Sequence, residues 1–181
     1  MAADELQELQ EHAEHAKHDP SLAPVSLTMA ILAVLVAVVS LLGHRAHTEE
    51  VLLQAKASDQ WAYYQAKNIR RHNDEVVADL TAIIATKDAK AADKVKEKYA
   101  HEAERYRDEG KDIQSEAQKL EQEVAIERKR ADRFDLGEVF LEVALVITSI
   151  TLLSGKRTFW HAGIVLAVVG LVAATSSVLV R

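Results

Sequence analysis

Three long apolar runs alternate with charged sequence along the chain. The first, residues 27–42, has no charged residue, and the second, residues 139–153, has one acid, Glu142. The third, residues 159–180, has no acid, lysine or arginine. A helix needs about 20 apolar residues to cross a bilayer, and the two shorter runs each adjoin sequence that extends the helix. The pattern predicts three transmembrane helices; the alternative is that the first two runs are buried helices of a soluble bundle.

The charged sequence between the first two runs predicts two long helical arms. Residues 44–136 contain no proline and one glycine, Gly110, and good helix formers dominate them. Residues recur at steps of four and three that mostly alternate, the spacing of a coiled-coil seam. On the first arm these are Val51, Ala55, Ser58, Ala62, Gln65, Ile69, His72, Val76, Leu80 and Ile83, and on the second Val95, Tyr99, Glu102, Tyr106, Gly110, Ile113, Ala117, Leu120, Val124, Glu127, Ala131 and Phe134.

The spacing breaks at residues 86–92, where Asp88 is a suitable N-cap for the second arm. We therefore predict the tip of a helical hairpin there. Gly110 is interpreted as a packing residue that lets the arms approach closely, with a hinge as the alternative.

The same spacing continues into the apolar runs, so each arm and its run are predicted to form one continuous helix. Small residues at this spacing favour close helix packing in lipid. The predicted packing residues are Ala30, Ala33, Ala37, Gly163, Ala167, Gly170 and Ala174, and the second run keeps Glu138, Glu142, Leu145 and Ser149 in step.

The predicted fold is an all-α membrane protein with three transmembrane helices and a long antiparallel coiled-coil hairpin between the first and the second. Its parts are an acidic N-terminal tail with a short amphipathic helix (1–25), transmembrane helix 1 (26–43), the hairpin (44–136), transmembrane helix 2 (137–154), a short loop (155–158) and transmembrane helix 3 (159–180).

Composition and charge exclude several classes of function. The net charge of the 181-residue chain is −6, and no basic block offers a surface for nucleic acid. The absence of cysteine excludes disulfides and thiolate chemistry. Because no catalytic triad order, phosphate loop or dinucleotide turn occurs, we expect neither an enzyme nor a cofactor.

The bases that flank the apolar runs predict the orientation. The hairpin side has Arg45, Arg128, Lys129, Arg130, Arg133 and Arg181, and the other side has Lys17, Lys156 and Arg157. The positive-inside rule then places the hairpin and the C-terminus in the cytoplasm and exports the N-terminal tail. Because the tail is acidic, the first run is interpreted as an uncleaved anchor.

Glu142, with Glu138 and Ser149 in step, is the first candidate site. Acids inside a bilayer usually face a partner, a water-filled cavity or an ion path, and stacked carboxylate rings around an axis would form a cation path. The alternative is that Glu142 lies near the headgroups and either pairs with an arginine such as Arg133 or meets water.

Histidines form a second candidate site in the tail. His12, His15 and His18 step by three on a predicted helix and could share a zinc or nickel ion; a solvated tail is the alternative. His44 and His47 form a similar pair at the membrane edge, either as a pH sensor or as polar residues of the helix interface.

An aromatic patch on the first arm is the third candidate. Trp61, Tyr63 and Tyr64 lie too far from the first run to meet headgroups, roughly 27 Å by helix rise. With Asn68, Arg70 and Arg71 they form a predicted protein-contact surface. Ordinary packing between the arms is the alternative.

The segment ASDQWAYYQAKNIRRH, residues 57–72, resembles a hallmark of the DUF4337 family of bacterial membrane proteins. The RFDLGEVFLEVALVITSITLLSGKR block and the glycine-bearing third run after Phe159 and Trp160 are also similar. The resemblance implies a bacterial inner-membrane location and no particular activity.

Three hypotheses about function follow, in order of preference. The first is an oligomeric, membrane-anchored coiled-coil scaffold that binds a protein partner and further copies of itself. The second is a homo-oligomeric ion channel or transporter that uses Glu138 and Glu142. The third is a metal or pH sensor that uses the N-terminal histidines.

Overall fold

A computed structural model describes residues 22–84 and 88–180, and their regular structure is entirely helical, without a strand. Helix α1 is Ala23–Ile83 and helix α2 is Ala89–Ser154. Helix α3 is Arg157–Thr175, and a short 3-10 helix, Ser176–Leu179, follows it. As predicted, the first run and the first arm belong to one helix, and the second arm and the second run to another.

Residues with special backbone preferences lie where the helices begin and end. Pro24 occupies the first turn of α1, where the missing N–H costs no hydrogen bond. The Asp88 carboxylate accepts a hydrogen bond from the Ala91 backbone N–H at 3.1 Å, which confirms Asp88 as the N-cap of α2. Gly155 follows α2 with φ of 66° and donates its N–H to the Thr151 carbonyl at 2.9 Å, an αL helix end.

The helix bounds near the C-terminus differ from those predicted from the sequence. The connection between α2 and α3 is only Gly155 and Lys156, because Gly155 reverses the chain in one residue. The third apolar segment is α-helical only to Thr175, and Ser176–Leu179 then tightens into a 3-10 turn, a common way for a helix to end.

The described residues divide into two compact units. Unit 1 comprises residues 22–49 and 126–180, and unit 2 comprises the described residues of 50–125. The core of unit 1 combines all three apolar segments. Its members are Leu32 and Val39 of α1, Leu141 and Ala144 of α2, and Ala167 and Ala174 of α3.

Glycines bring α2 and α3 into close contact in unit 1. A Cβ atom at Gly137 would lie 2.8 Å from the Gly170 carbonyl oxygen, and one at Gly163 would overlap the Thr148 hydroxyl. Small residues of this kind let helix backbones approach closely, which is the packing that lipid-embedded helices favour.

In unit 2, residues 50–83 of α1 and 89–125 of α2 lie antiparallel. Trp61 donates its indole N–H to Glu121 at 2.8 Å, and Arg107 donates to Glu75 at 3.2 Å, so residue numbers rise on one helix as they fall on the other. The buried hydrophobic side chains of this unit are mostly small: Leu53, Ala57, Ala78, Ala103, Ile113 and Ala117.

The buried face of α1 is rotated relative to the predicted one. Its buried positions are Val25, Met29, Leu32, Val39, Gly43, Ala46, Leu53, Ala57 and Ala78. Within the apolar run, each buried position comes one residue before a predicted one. Ala30 and Ala37 are therefore exposed, and Ala33 is half-buried. The physical reason is that every face of this run is apolar, and the larger Leu32 and Val39 fill the space against α2 and α3.

Candidate interaction surface on the helical arms

Gly110 of α2 makes room for an aromatic ring of α1. A Cβ atom at Gly110 would lie 3.6 Å from the Tyr64 ring. Tyr64 also meets Trp61 edge to face, with ring centroids 5.6 Å apart, a favourable arrangement of two aromatic rings. The glycine therefore acts in packing, and it lies within the continuous helix α2.

Lys67 lies at the centre of the polar contacts between the arms. Its ammonium donates to Glu109 at 2.5 Å and lies 4.9 Å from the centroid of the Tyr106 ring. The hydrogen bond to Glu109 raises the pKa of Lys67, and the same bond lowers the pKa of Glu109. The patch predicted from sequence does not include Lys67. Its contacts with Tyr106 and Glu109 form only when the two arms pair, so the sequence alone does not indicate them.

The predicted aromatic patch divides between two faces of α1. Trp61, Tyr64 and Arg71 are half-buried on the side that meets α2, whereas the other three members are exposed: Tyr63, Asn68 and Arg70. Arg71 borders a pocket of about 110 Å³ between the arms, and its buried Nε lacks a hydrogen-bond partner among the described residues.

A second face of α1 in unit 2 is mostly apolar and yet exposed. It consists of the positions predicted from sequence for the seam of the first arm, and we call it the outer stripe: Val51, Ala55, Ser58, Ala62, Gln65, Ile69, His72, Val76, Leu80 and Ile83. Ile69 is 62% exposed and Ile83 is 78% exposed. Leu53 and Ala57, with the half-buried Trp61, Tyr64, Lys67 and Arg71, occupy the side that faces α2 instead.

The predicted ion-path residues lie along the apolar part of α2. Glu138 is half-buried, Glu142 is exposed and engaged in an interaction, and the Ser149 hydroxyl donates to the Val146 carbonyl of its own helix at 2.7 Å. The buried positions precede them by one residue, at Gly137, Leu141 and Thr148. The displacement arises because α3 packs on this side of α2.

The predicted packing residues of the third segment are all buried. Gly163, Ala167, Gly170 and Ala174 are the residues of α3 that the structure buries. Gly170 lies against Leu141, and Gly163 against Ala144 and Thr148. The spacing of small residues therefore describes the face of α3 that meets α2.

The histidine candidates have different outcomes. His12, His15 and His18 lie outside the described residues. His44 bonds the Ser40 carbonyl of its own helix at 3.0 Å, and His47 lies 3.0 Å from the Asp135 carboxylate of α2. Sequence spacing alone does not connect residues 47 and 135, so the sequence does not predict this pair. Across residues 22–84 and 88–180, no group of three or more potential ligands is placed to hold a metal ion.

These features define an all-α protein with three helices, within the described residues, that are each long and apolar enough to cross a membrane. The chain belongs to the family described as Domain of unknown function (DUF4337), whose family model matches residues 21–180, nearly the whole chain. The match confirms the resemblance that residues 57–72 indicate. No curated protein and no solved structure matches the chain.

Proposed function

We propose that the protein is a membrane-anchored helical scaffold that associates with further copies of itself through the outer stripe of α1. The observation that carries this proposal is the exposure of that stripe, whose steps alternate between four and three from Val51 to Val76 and which has no acid, lysine or arginine at its ten positions. A stripe with this spacing is the surface that helices use to pair as a coiled coil.

Anchoring in a bilayer is supported by the outer surface of unit 1. Large apolar side chains are exposed on all three of its segments, including Leu27, Val38, Val146, Val165 and Val172. Apolar surface costs roughly 25 cal/mol per Å² in water, and so many exposed apolar side chains favour contact with a partner or with lipid. We place it in a bacterial inner membrane with the arms in the cytoplasm, as the family resemblance and the flanking bases suggest.

A second copy of the chain is the occupant that fits the outer stripe. Copies anchored in one membrane present α1 in the same direction, so two outer stripes meet in parallel and each residue faces its own counterpart. Ile69, Val76 and Ile83 then supply apolar contacts. Gln65 supplies a polar pair, and a polar residue at one such position fixes the register of a coiled coil.

Cysteine cross-linking tests the proposal directly, because the chain has no cysteine of its own. Ile69→Cys and Val76→Cys chains in bilayers should each form disulfide-linked dimers on mild oxidation, since a parallel pair brings equal residues within disulfide reach. Gln118→Cys, at an exposed position of α2, is the matched control and should remain monomeric.

Three results would contradict self-association through the stripe. They are monomers at every position, cross-linking of Gln118→Cys as fast as that of Ile69→Cys, and a cross-linked product whose mass requires a different protein. As a second measurement, Ile69→Asp combined with Val76→Asp should reduce the oligomer to monomer in detergent while the helical circular dichroism signal is unchanged.

A further inference from the structure

A second site lies in unit 1, in an open pocket of about 460 Å³ bordered by α1, α2 and the 3-10 helix. Its apolar wall is formed by Leu42, Phe134 and Val178, and its polar wall includes Arg45 and Arg130. We call it the boundary pocket, because the apolar run of α1 ends at Leu42 and charged residues begin at Arg45. In a bilayer that receives the apolar segments, this level meets the headgroups.

The boundary pocket offers unused hydrogen-bond donors. Ser177 is only 1% exposed, and its hydroxyl lacks a hydrogen-bond partner among the described residues. Arg45 has no ion-pair or hydrogen-bond partner in the described part of the chain. Arg130 also borders the pocket, although its guanidinium already donates to Glu127 and to the Val180 carbonyl. Guanidinium groups and a hydroxyl are the donors that bind phosphate oxygens.

The same pocket also carries negative charge. Glu127 is paired with Arg130, whereas Glu49 has no partner within residues 22–84 and 88–180. Arg45 and Glu49 lie four residues apart on α1, but their charged atoms are beyond the 4.0 Å of an ion pair. The pocket therefore presents a free cation and a free anion side by side, which matches a ligand with both charges.

We propose that the boundary pocket binds the headgroup of a zwitterionic phospholipid that carries a primary ammonium group. The phosphate lies against Arg45, Arg130 and Ser177, and the ammonium lies against Glu49. Leu42, Phe134 and Val178 contact the glycerol and the first acyl carbons. Pockets of basic residues between membrane helices bind lipid headgroups elsewhere; here the carboxylate selects the ammonium. This proposal rests on the membrane anchoring proposed above.

Native mass spectrometry of the full chain released from nanodiscs tests the lipid assignment. The nanodiscs contain equal amounts of phosphatidylethanolamine, phosphatidylcholine and phosphatidylglycerol, and the lipids that remain bound are counted. We expect phosphatidylethanolamine to be retained in preference, since the trimethylated choline headgroup cannot donate a hydrogen bond to Glu49.

Variants separate the two charges of the headgroup. Glu49→Gln should remove the preference for ethanolamine over choline, and Arg45→Gln should weaken retention of both about tenfold, the effect of losing one charge-assisted hydrogen bond. Ser177→Ala should weaken retention without destabilising the lipid-free protein, because its hydroxyl has no hydrogen-bond partner to lose among the described residues. Lys96→Gln and Glu123→Gln, at exposed positions of unit 2, are matched controls and should behave as the native chain.

Equal retention of the three lipids, or equal behaviour of pocket and control variants, would overturn the assignment. Preferential retention of phosphatidylglycerol would also overturn it, because it would indicate a purely anionic ligand. A chain that enters no nanodisc would contradict the membrane anchoring itself, whereas a chain that inserts without selecting a lipid would contradict only the boundary pocket.

Discussion

Gly163 of α3 lies directly against Thr148 of α2. A Cβ atom at residue 163 would overlap the Thr148 hydroxyl oxygen and lie 3.0 Å from the Ala144 carbonyl oxygen. Thr148 is fully buried, and its hydroxyl donates to the Ala144 carbonyl at 2.7 Å. Neither side of the contact can therefore move without disturbing the packing of the two helices.

Gly163→Val should destabilise unit 1 by about 1–3 kcal/mol, the usual cost of overpacking a well-filled core. Denaturant titration of the detergent-solubilised protein, followed by circular dichroism, measures the change. Thr148→Ala in the same chain should recover part of the loss by removing the overlapping hydroxyl. Ala162→Val, on the exposed face of α3, is the control, and an equal loss there would contradict the contact.

The pair of Lys67 and Glu109 predicts a pH range of greatest stability for unit 2. Because the pKa of Glu109 is lowered, its contribution is complete above its ordinary value of 4.5 and is lost as the pH falls through the lowered pKa. Because the pKa of Lys67 is raised, its contribution is complete below 10.5 and is lost as the pH rises through the raised pKa.

Thermal unfolding followed by circular dichroism at a series of pH values tests this range. Lys67→Met should lower the melting temperature between pH 4.5 and 10.5. The melting temperature of the variant should then fall less than that of the native chain at low and at high pH. Since Glu109 is partly exposed, salt should weaken the native effect. Lys96→Met is the matched control, and an unchanged pH profile for Lys67→Met would show that the pair contributes nothing.

The N-cap of α2 should contribute measurably to stability. Asp88→Ala removes the acceptor for the Ala91 N–H and should cost about 1 kcal/mol, whereas Asp88→Asn keeps an acceptor and should cost only a few tenths. Urea unfolding of the two variants compares them. Equal losses would mean that the carboxylate charge, and not the hydrogen bond, stabilises the helix start.

Gly155 should resist replacement for a conformational reason alone. No atom of the described residues lies within 4 Å of a Cβ atom built there, but the backbone has φ of 66°. Gly155→Ala should therefore cost about 1–2 kcal/mol, the penalty for an L-residue in this region. Gly155→Asn should cost less, because asparagine tolerates αL, and the same denaturant titration checks the order.

Much of the architecture follows from local sequence rules. The length of the apolar runs and the scarcity of proline predict three long helices. The N-cap Asp88 predicts the position of the connection between α1 and α2. The small residues from Gly163 to Ala174 predict the packed face of α3. These signals suffice because helix formation and helix ends depend on residues within one or two turns.

Tertiary packing decides which face of α1 is buried, whereas on the arm of α2 the stripe predicted from spacing is buried or half-buried from Tyr99 to Phe134. In the apolar run of α1 all faces are apolar, so the sequence offers no contrast, and the fit of Leu32 and Val39 against the other helices selects the face. In unit 2, Trp61 and Lys67 of α1 donate hydrogen bonds to Glu121 and Glu109 of α2. The outer stripe of α1 stays exposed. Spacing identifies a stripe that can pack, but only the shape and charge of the neighbouring helix determine whether it packs within the chain.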